Sequence, residues 1–489
     1  RLRCDWSSDV CSSDLRQAGK YRIRRHYSEE FPVNKLSVDL NLVRKYDVPG
    51  PRYTSYPPAT RFSEEYDEER LHELIQANKQ SQRDLSLYCH IPFCESLCWF
   101  CGCTTVITSR HQEGTSYLDY LDKEMALFCN GESPNRKVVQ MHLGGGTPTF
   151  LRPDEIRKLG SILHRHFGET PDCEAGVEVD PRRLTKEHVD ALWEAGFNRA
   201  SMGVQDNNAK VQKAINRIQP MEITRNSVDW LREAGFESIN IDLIYGLPHQ
   251  TESSFEKTLE EIIELSPNRL AVFSYAHVPW IKPAQKILER ENLPTPETKL
   301  NLLKLIIEKL TSEGYVYVGM DHFARPDDEL AVAQSQKTLQ RNFQGYITLG
   351  GAGIHAFGVS SVSQIPDAYW QNIKELKEYY QAVDDGKTPI AKGCIVTDDE
   401  KKYRIVITRL MCDLGLDYDS LSNSLDINFR EEFADSLDGL EDMEDDGLLI
   451  RDESGLTVTD TGRLFIRNIA MRFDPNIESS STTRYSRTI

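Results

Sequence analysis

The sequence predicts an α/β fold with an open, partial (β/α)6 barrel at its centre. Six apolar runs have the composition of buried parallel strands, and amphipathic helical segments alternate with them. Three helical segments are followed by glycine and an aromatic residue, at Gly196, Gly235 and Gly314, where glycine suits a left-handed helix cap. Since six units are visible rather than eight, we expect a sheet that curves without closing.

The predicted strands and helices alternate along the central part of the chain. The strands share aliphatic and β-branched side chains and lie at 85–91, 138–143, 175–179, 199–204, 238–244 and 270–275. The helices share apolar positions at helical spacing and lie at 117–128, 154–167, 186–195, 223–234 and 252–265. This alternation indicates parallel strands joined by helical crossovers.

The chain divides into four predicted segments. Residues 1–15 resemble a translated sequencing adapter joined to a gene fragment, so we expect them to be an artefact of assembly. An N-terminal extension covers 16–84, the partial barrel covers 85–367, and a mainly helical, winged-helix-like C-terminal domain covers 368–489. Because this last domain carries a run of acidic residues, we expect it to cover the mouth of the barrel rather than to bind DNA.

Composition and charge limit the classes of function. The chain has 39% hydrophobic and 27% charged residues, as expected for a soluble protein of more than one domain. Its formal net charge of −18 argues against nucleic acid or an anionic membrane as the main partner. No apolar stretch is long enough to span a bilayer, and eleven cysteines in 489 residues do not indicate a disulfide framework. We therefore expect a cytoplasmic protein.

Closely spaced cysteines follow the first predicted strand. Cys94, Cys98 and Cys101 have the spacing C-x3-C-x2-C, and three thiolates can hold three irons of a 4Fe-4S cluster while the fourth iron stays open. A structural zinc site is the alternative, but it usually pairs two half-sites, and no second half-site follows here. The spacing is typical of radical S-adenosylmethionine (SAM) enzymes.

Polar residues gather where the predicted strands end. The glycine-rich run 144–149 follows the second strand, and it lacks the lysine of a phosphate-binding loop. Glu178 and Asp180 alternate with valines on the third strand, and Gln205 and Asp242 lie opposite apolar faces on the next two. Each of these residues alone could be satisfied by an internal hydrogen bond. Their recurrence on successive strands predicts a polar ligand at the carboxyl edge of the sheet.

Longer motifs resemble those of one branch of the radical SAM enzymes. They are the C-G-C ending at Cys103 and the segments 50–57, 201–206, 241–248 and 319–328. All are similar to segments of the oxygen-independent coproporphyrinogen III oxidases, and the resemblance extends from Leu36 to Ile489.

The resemblance implies an oxidoreductase that works without oxygen. The family uses a 4Fe-4S cluster and two SAM molecules to convert two propionates of coproporphyrinogen III into vinyl groups, with loss of CO2, which gives protoporphyrinogen IX. A reductant such as flavodoxin or ferredoxin supplies an electron, and SAM then yields a 5′-deoxyadenosyl radical. By the same resemblance we expect a monomer.

The resemblance also assigns site residues. The cluster ligands are Cys94, Cys98 and Cys101. The first SAM contacts Tyr88, Gly145, Glu178 and Val362. The second SAM contacts Phe100, Gly146, Thr147, Gln205, Arg217, Asp242 and Ala276. Cys103 is a candidate substrate-side residue.

Several residues have an ordinary structural alternative. Tyr88 could be a packed strand aromatic, Arg217 a solvated helix residue, and Cys103 a small buried side chain. His90 and His142 could be packed, hydrogen-bonded histidines at strand ends. For these five residues the sequence leaves both interpretations open.

Two positions depart from the family pattern. The segment 353–360 carries His355 close to Val362, where the family has an aspartate followed by aliphatic residues. Cys89 stands where a β-branched residue is common, although a thiol also fills a buried strand position.

Two other functions remain as alternatives. A haem-binding chaperone on the same scaffold usually ends the cluster motif C-x-F and lacks the segment 50–57, so Gly102 and Cys103 favour the oxidase. A non-enzymatic iron–sulfur protein would not need the glycine-rich run or the strand-end polar residues, which are all present.

Overall fold

The computed structural model describes residues 35–130, 136–168, 172–477 and 487–488. The predicted adapter segment 1–15 and the first part of the predicted N-terminal extension, 16–34, lie outside the described residues.

Twelve strands form one large sheet. In chain order they are β1 (Leu85–Ile91), β2 (Val138–Gly145), β3 (Glu174–Val179), β4 (Arg199–Gln205), β5 (Ser238–Tyr245), β6 (Arg269–Ser274), β7 (Val316–Gly319), β8 (His322–Ala324), β9 (Gly353–Phe357), β10 (Val362–Ile365), β11 (Ala368–Asn372) and β12 (Ile390–Ile395). Their spatial order is β12-β11-β10-β9-β1-β2-β3-β4-β5-β6-β8-β7.

The six predicted strands are confirmed as β1 to β6. They pair in parallel from β1 through β6. Buried and partly exposed side chains alternate along β3, β4 and β5, most regularly in β3, whereas β1 is almost wholly buried. The outer strands of the sheet, β12 and β7, are not neighbours, so the sheet stays open, as predicted.

Strands on both sides of this parallel core were not predicted. The fully buried β9 pairs in parallel with β1, and β10, β11 and β12 continue the sheet as antiparallel strands. No helix separates β9, β10 and β11, and the helix between β11 and β12 joins antiparallel strands, so these short strands lack the alternation that marks a parallel βα unit. The sheet thus continues beyond residue 367, the predicted end of the barrel, while the division into domains stays a prediction.

The helices lie between and around the strands. They are α1 (Leu40–Tyr46), α2 (Glu68–Lys79), α3 (Gln112–Cys129), α4 (Pro153–Phe167), α5 (Lys186–Glu194), α6 (Ala209–Ala214), α7 (Met221–Ala234), α8 (Glu252–Glu264), α9 (Pro296–Ser312), α10 (Glu329–Ser335), α11 (Leu376–Asp384), α12 (Asp398–Asp413), α13 (Tyr418–Leu425), α14 (Phe429–Glu432), α15 (Ala434–Asp438), α16 (Glu441–Asp445) and α17 (Ile466–Met471).

The five predicted helices are confirmed as α3, α4, α5, α7 and α8. Local sequence explains their bounds: the hydroxyl groups of Thr185 and Thr251 cap the first turns of α5 and α8. Gly235 ends α7 in the left-handed conformation, at a φ of 99°. None of the helices in the described ranges is long and apolar enough to cross a bilayer.

The C-terminal region is mainly helical, as predicted. Beside its helices α12 to α17 lies a small antiparallel sheet, Gly415–Asp417, Gly455–Val458 and Leu449–Arg451, whose last two strands form a hairpin. The N-terminal extension packs against this region, because the hydroxyl groups of Tyr53 and Tyr56 both donate to the carboxylate of Asp474 at 3.0 Å.

Candidate functional site

The cysteine-containing loop begins where β1 ends. Backbone bonds hold it at three points: Phe93 pairs with Val106, the N–H of Thr108 donates to Cys94, and the N–H of Trp99 donates to Ile215 at 3.1 Å. These bonds fix the loop between β1 and α3 at the carboxyl edge of the sheet, where a parallel βα array presents its functional residues.

Each of the three predicted cluster ligands has a polar group near its sulfur. The guanidinium groups of Arg182 and Arg217 lie 3.5 and 3.6 Å from the sulfur of Cys98. The hydroxyl of Thr147 lies 3.5 Å from the sulfur of Cys94. The sulfur of Cys101 accepts the backbone N–H of the residue two positions later at 3.4 Å. Positive charge and hydrogen-bond donors therefore surround sulfurs that become anionic when they bind iron.

The pKa values of two of these thiols shift in opposite directions. Burial raises the pKa of Cys94 to about 11, partly offset by the hydrogen bond to Thr147. The hydrogen bond from Cys103 lowers the pKa of Cys101, against the effect of burial. A bound metal must displace a proton from a thiol with a raised pKa, so iron binding at Cys94 releases a proton.

The arrangement fits an iron–sulfur cluster. In the described ranges no three His, Cys, Asp or Glu side chains are placed to share a single metal ion. A 4Fe-4S cluster does not need such a group, because it distributes its cysteine ligands over different irons. The two arginines beside Cys98 supply the positive charge that an anionic cluster favours.

Arg217 is a buried residue at the centre of an ionic network, and the alternative of a solvated helix residue is wrong. Its side chain is 6% exposed, pairs with Asp180 at 3.2 Å and donates to the carbonyl of Gly203 at 2.6 Å. Arg182 binds the same carboxylate at 2.6 Å. Burial acts to raise the pKa of Asp180, but the two arginines outweigh it and hold this pKa below its usual value.

The glycine-rich turn after β2 has no room for side chains. Gly145 has a φ of 116°, and a Cβ there would lie 2.6 Å from the ring of His90. A Cβ on Gly146 would lie 2.6 Å from the backbone carbonyl oxygen of Pro92. The N–H of Gly145 donates to Glu178 at 3.1 Å. A ligand can therefore approach this backbone without obstruction.

A cavity of about 300 Å³ brings three of the predicted first-SAM residues together. Tyr88, Glu178 and Val362 all line it, and Gly145 reaches it through the hydrogen bond to Glu178. Its other lining residues are His90, His142, Phe343, Gln344, Ser360, Ser361 and Gln371. The volume is within the range of small-molecule sites.

Hydrogen bonds order the polar wall of this cavity. The ring of Tyr88 stacks on His142, and its hydroxyl lies 3.2 Å from Nδ1 of His90. The Nε2 atom of His90 lies 3.0 Å from the carbonyl of Thr104. Burial acts to raise the pKa of Glu178, but the hydrogen bonds from His142 and the Gly145 amide hold it below its usual value. The wall thus presents a carboxylate at neutral pH.

The altered segment 353–360 leaves this cavity intact. His355 is 1% exposed and is not among the residues that line the cavity; its ring instead packs 4.5 Å from Phe128 and 6.0 Å from Trp370, measured between centroids. Val362 therefore keeps its place on the wall although the neighbouring sequence differs from the family pattern.

The residues predicted for the second SAM lie in two groups. Gln205 ends β4 with a φ of 72°, and its buried Oε1 atom has no hydrogen-bond partner in the part of the chain that the structure describes. Asp242 accepts hydrogen bonds from Ser201 at 3.1 Å and Asn240 at 2.7 Å. Burial, reinforced by the charge of Glu178, raises the pKa of Asp242 to about 7. An unpaired buried amide oxygen and a carboxyl of raised pKa are typical of a ligand site.

Phe100 and Ala276 form the second group. Phe100 is partly buried against a cluster that contains Tyr275, and its carbonyl accepts a hydrogen bond from Gln285 at 3.0 Å. Ala276 is exposed just beyond the end of β6.

Cys103 is exposed, and its carbonyl accepts a hydrogen bond from Lys282 at 2.8 Å. The alternative of a small buried side chain at Cys103 is therefore wrong.

Several residues of the site received no role from the sequence, although Asp180 was placed among the polar residues at the strand ends. Phe343 and Gln344 line the first cavity from the short hairpin formed by the strands Gln340–Asn342 and Gly345–Ile347. Asp180 and Arg182 form the ionic network beside Cys98. The position of Asp180 and Arg182 just after a predicted strand was a local signal that could have identified them as site residues. The hairpin that carries Phe343 and Gln344 lies outside the βα repeat, and its sequence gave no such signal.

Comparisons with known proteins agree with this site. Residues 88–262 match the Radical SAM superfamily, and residues 396–465 match the HemN C-terminal domain. The oxygen-independent coproporphyrinogen III oxidase of Escherichia coli is 46% identical over 462 residues, which cover 94% of this chain and 100% of that protein. The enzyme of the same name from Synechocystis is 43% identical over 464 residues, which cover 94% and 99%.

A solved structure has the same fold. Coproporphyrinogen III oxidase (HemN) from Escherichia coli, described as a radical SAM enzyme, superimposes with a TM-score of 0.86 at 45% identity. The superposition covers 91% of this chain and 100% of the other. The chain therefore belongs to the oxygen-independent coproporphyrinogen III oxidase family of radical SAM enzymes.

Proposed function

We propose that this protein removes two propionate carboxyl groups from coproporphyrinogen III as CO2 and thereby forms protoporphyrinogen IX. The observation that carries the proposal is the juxtaposition of the cysteine loop with the cavity lined by Tyr88, Glu178 and Val362. His90 connects the two, because it lines the cavity and its Nε2 atom lies 3.0 Å from the carbonyl of Thr104 in the cysteine-containing loop. The same edge of the sheet can thus hold a cluster and a small polar ligand.

The residues of the loop and cavity have distinct roles in this proposal. Cys94, Cys98 and Cys101 hold a 4Fe-4S cluster, and Tyr88, Glu178, Gly145 and Val362 hold the first SAM molecule. When bound, the cluster supplies an electron and SAM supplies a radical that takes a hydrogen atom from the propionate. The glycine-rich turn lets the ligand contact the backbone.

We propose a second SAM molecule beside the first. Its residues are Phe100, Gly146, Thr147, Gln205, Arg217, Asp242 and Ala276. The unpaired Oε1 atom of Gln205 and the partly accessible carboxyl of Asp242 support this, since both can accept hydrogen bonds from a ligand. Arg217 supports it less directly, because its guanidinium is already bound to Asp180 and the carbonyl of Gly203. Cys103, which is exposed beside the cluster loop, is the proposed substrate-side residue.

The partners follow from the same proposal. A flavodoxin or ferredoxin supplies electrons to a monomer in the cytoplasm, and a one-electron acceptor completes each decarboxylation. Several cysteines in the described part of the chain are free thiols, which suits a reducing environment; they are Cys89, Cys94, Cys98, Cys101, Cys103, Cys394 and Cys412.

An anaerobic turnover assay tests the function. Iron-reconstituted protein is incubated with SAM, a strong reductant and coproporphyrinogen III, and both 5′-deoxyadenosine and protoporphyrinogen IX are measured. We expect both products, and the loss of both in Cys98→Ala. Cys129→Ala, which changes a cysteine outside the loop, is the matched control and retains both. Deoxyadenosine without a porphyrin product indicates another substrate, and stoichiometric haem binding without turnover indicates a chaperone.

A binding experiment tests the second SAM. Equilibrium dialysis with labelled SAM is expected to give two molecules per reconstituted chain, falling to one in Gln205→Ala. A value of one in the unaltered protein would refute the second site.

A further inference from the structure

A pocket rich in arginine borders the hairpin Gln340–Ile347, whose turn also lines the first cavity. It has a volume of about 310 Å³ and is formed by this hairpin, the start of β9, the end of β10 and one face of α12. Four arginines line it: Arg83, Arg341, Arg404 and Arg409. We refer to it as the arginine pocket.

The arginine pocket is strongly cationic in an acidic protein. No aspartate or glutamate is among the described residues that line it, although the chain has a formal net charge of −18. Arg409 pairs with Asp413, which lies outside the lining, at 3.1 Å. The other three guanidinium groups reach backbone carbonyls: those of Gly351 from Arg83, Tyr53 from Arg341 and Pro366 from Arg404. Their positive charges are therefore available to an anion.

One nitrogen of Arg341 supports this conclusion independently. Its Nη1 atom is buried and has no hydrogen-bond partner among the described residues, while its guanidinium carbon lies 4.6 Å from the centre of the Tyr346 ring. A buried guanidinium N–H without an acceptor is costly, and a bound carboxylate would satisfy it.

The hairpin places this pocket next to the proposed cofactor cavity. Phe343 and Gln344 line that cavity, whereas their neighbours Gln340, Arg341 and Asn342 line the arginine pocket. A single hairpin therefore forms a wall of both spaces. A tetrapyrrole held in the arginine pocket would therefore lie beside the hairpin that also lines the proposed cofactor cavity.

We propose that the arginine pocket binds the propionates of the tetrapyrrole that the reaction leaves in place. The inference rests on the proposed function, which supplies a substrate with four carboxylates. A carboxylate that must leave as CO2 is not helped by an arginine, because the ion pair stabilises the charged reactant. Arginine is suited to carboxylates that only anchor the substrate, through two parallel hydrogen bonds.

Porphyrin binding tests the proposal without turnover. Coproporphyrin III, a stable analogue with the same four propionates, and protoporphyrin IX, which keeps only the two unreacted ones, are titrated by fluorescence. We expect Arg341→Gln/Arg404→Gln to weaken both by about tenfold or more, the factor that one lost charge-assisted hydrogen bond gives. Arg70→Gln is the matched control, because Arg70 is an exposed partner of Glu73 on α2. Melting temperatures show whether each variant is folded.

Arg83→Gln keeps the proposal testable if the double variant does not fold. Arg83 is exposed and has only a 3.5 Å contact with Gly351, so its loss is expected to weaken both porphyrins without unfolding the protein. Weakened binding of coproporphyrin III alone would overturn the proposal, because the pocket would then hold the reacting propionates. Unchanged porphyrin binding with lost binding of citrate or inorganic phosphate would overturn it in favour of a small free anion. An unaltered protein that binds neither porphyrin contradicts the proposed function itself.

Discussion

The guanidinium of Arg217 lies 3.6 Å from the sulfur of Cys98. The same guanidinium pairs with Asp180, so the sulfur of a predicted iron ligand faces a positive charge that is held in place by a carboxylate. Arg217 and Cys98 are far apart in the sequence, and the position after α6 brings them together. Charge this close to a cluster affects how readily the cluster accepts an electron.

Replacing Arg217 is therefore expected to change the redox behaviour of the cluster. In Arg217→Gln the lost positive charge disfavours the reduced form, so we expect a reduction potential more negative by on the order of 50 mV. The measurement is a redox titration followed by electron paramagnetic resonance. Arg225→Gln, an exposed position on α7, is the control and keeps the original potential. An unchanged potential in Arg217→Gln would show that Asp180 and Arg182 already neutralise the site.

The glycine-rich turn predicts a sharp difference between two alanine substitutions. In Gly146→Ala the new Cβ meets a backbone carbonyl at 2.6 Å, which cannot move as a side chain can, so we expect loss of SAM binding. In Gly102→Ala no atom lies within 4 Å of the new Cβ. Iron content and SAM affinity of both variants are the measurements. Equal SAM affinity in the two variants would contradict the proposed contact at the turn.

The raised pKa of Asp242 predicts a pH-dependent cost of folding. Burial raises this pKa from 3.8 to about 7, so the folded protein binds the proton more tightly than the unfolded chain, and stability is lost as pH rises between these values. Asp242→Asn removes the loss. As the pH rises from 5 to 8, we expect the free energy of unfolding of the variant to increase by about 2–3 kcal/mol relative to that of the unaltered apo-protein. Urea unfolding at pH 5 and pH 8 measures the free energy of unfolding of both proteins. The same change with pH in both would refute the prediction.

His355 predicts a stabilising substitution outside the site. Both ring nitrogens are buried and have no hydrogen-bond partner among the described residues. Burial lowers the pKa of this histidine to about 3. Because the folded pKa is depressed, stability is lost as pH falls from 6.5 towards 3. We expect His355→Leu to raise the free energy of unfolding by about 1–3 kcal/mol at pH 7. The gain over the unaltered protein is expected to be larger at pH 5, where the unfolded chain binds a proton at this histidine.

The control for His355→Leu is SAM binding, which we expect to be unchanged because His355 does not line the first cavity. A destabilised variant would mean that a water molecule or ligand satisfies the histidine in solution.

The parallel core was predictable because each βα unit carries its own signals. The apolar run of β5 and the glycine that ends α7 are local features, and the structure places both as expected. The strands β9 to β12 were missed because they are short and, except for β9, antiparallel, and because no helix separates β9, β10 and β11.

The site was predictable only in part, for a related reason. The spacing of Cys94, Cys98 and Cys101 is a local signal, and resemblance supplied most of the other residues. The pairing of Arg217 with Asp180 depends on the packing of the chain after α6 against β3, which no local pattern encodes. The same applies to Gln344, whose hairpin reaches the cavity from a distant part of the sequence.

The stoichiometry of the products tests the central claim most directly. Reconstituted protein, SAM, reductant and coproporphyrinogen III are allowed to react to completion without oxygen, and both products are quantified. If two propionates are each removed with the consumption of one SAM molecule, two 5′-deoxyadenosines form for every protoporphyrinogen IX. Formation of protoporphyrinogen IX without 5′-deoxyadenosine, or of 5′-deoxyadenosine without any porphyrin product, would contradict the account.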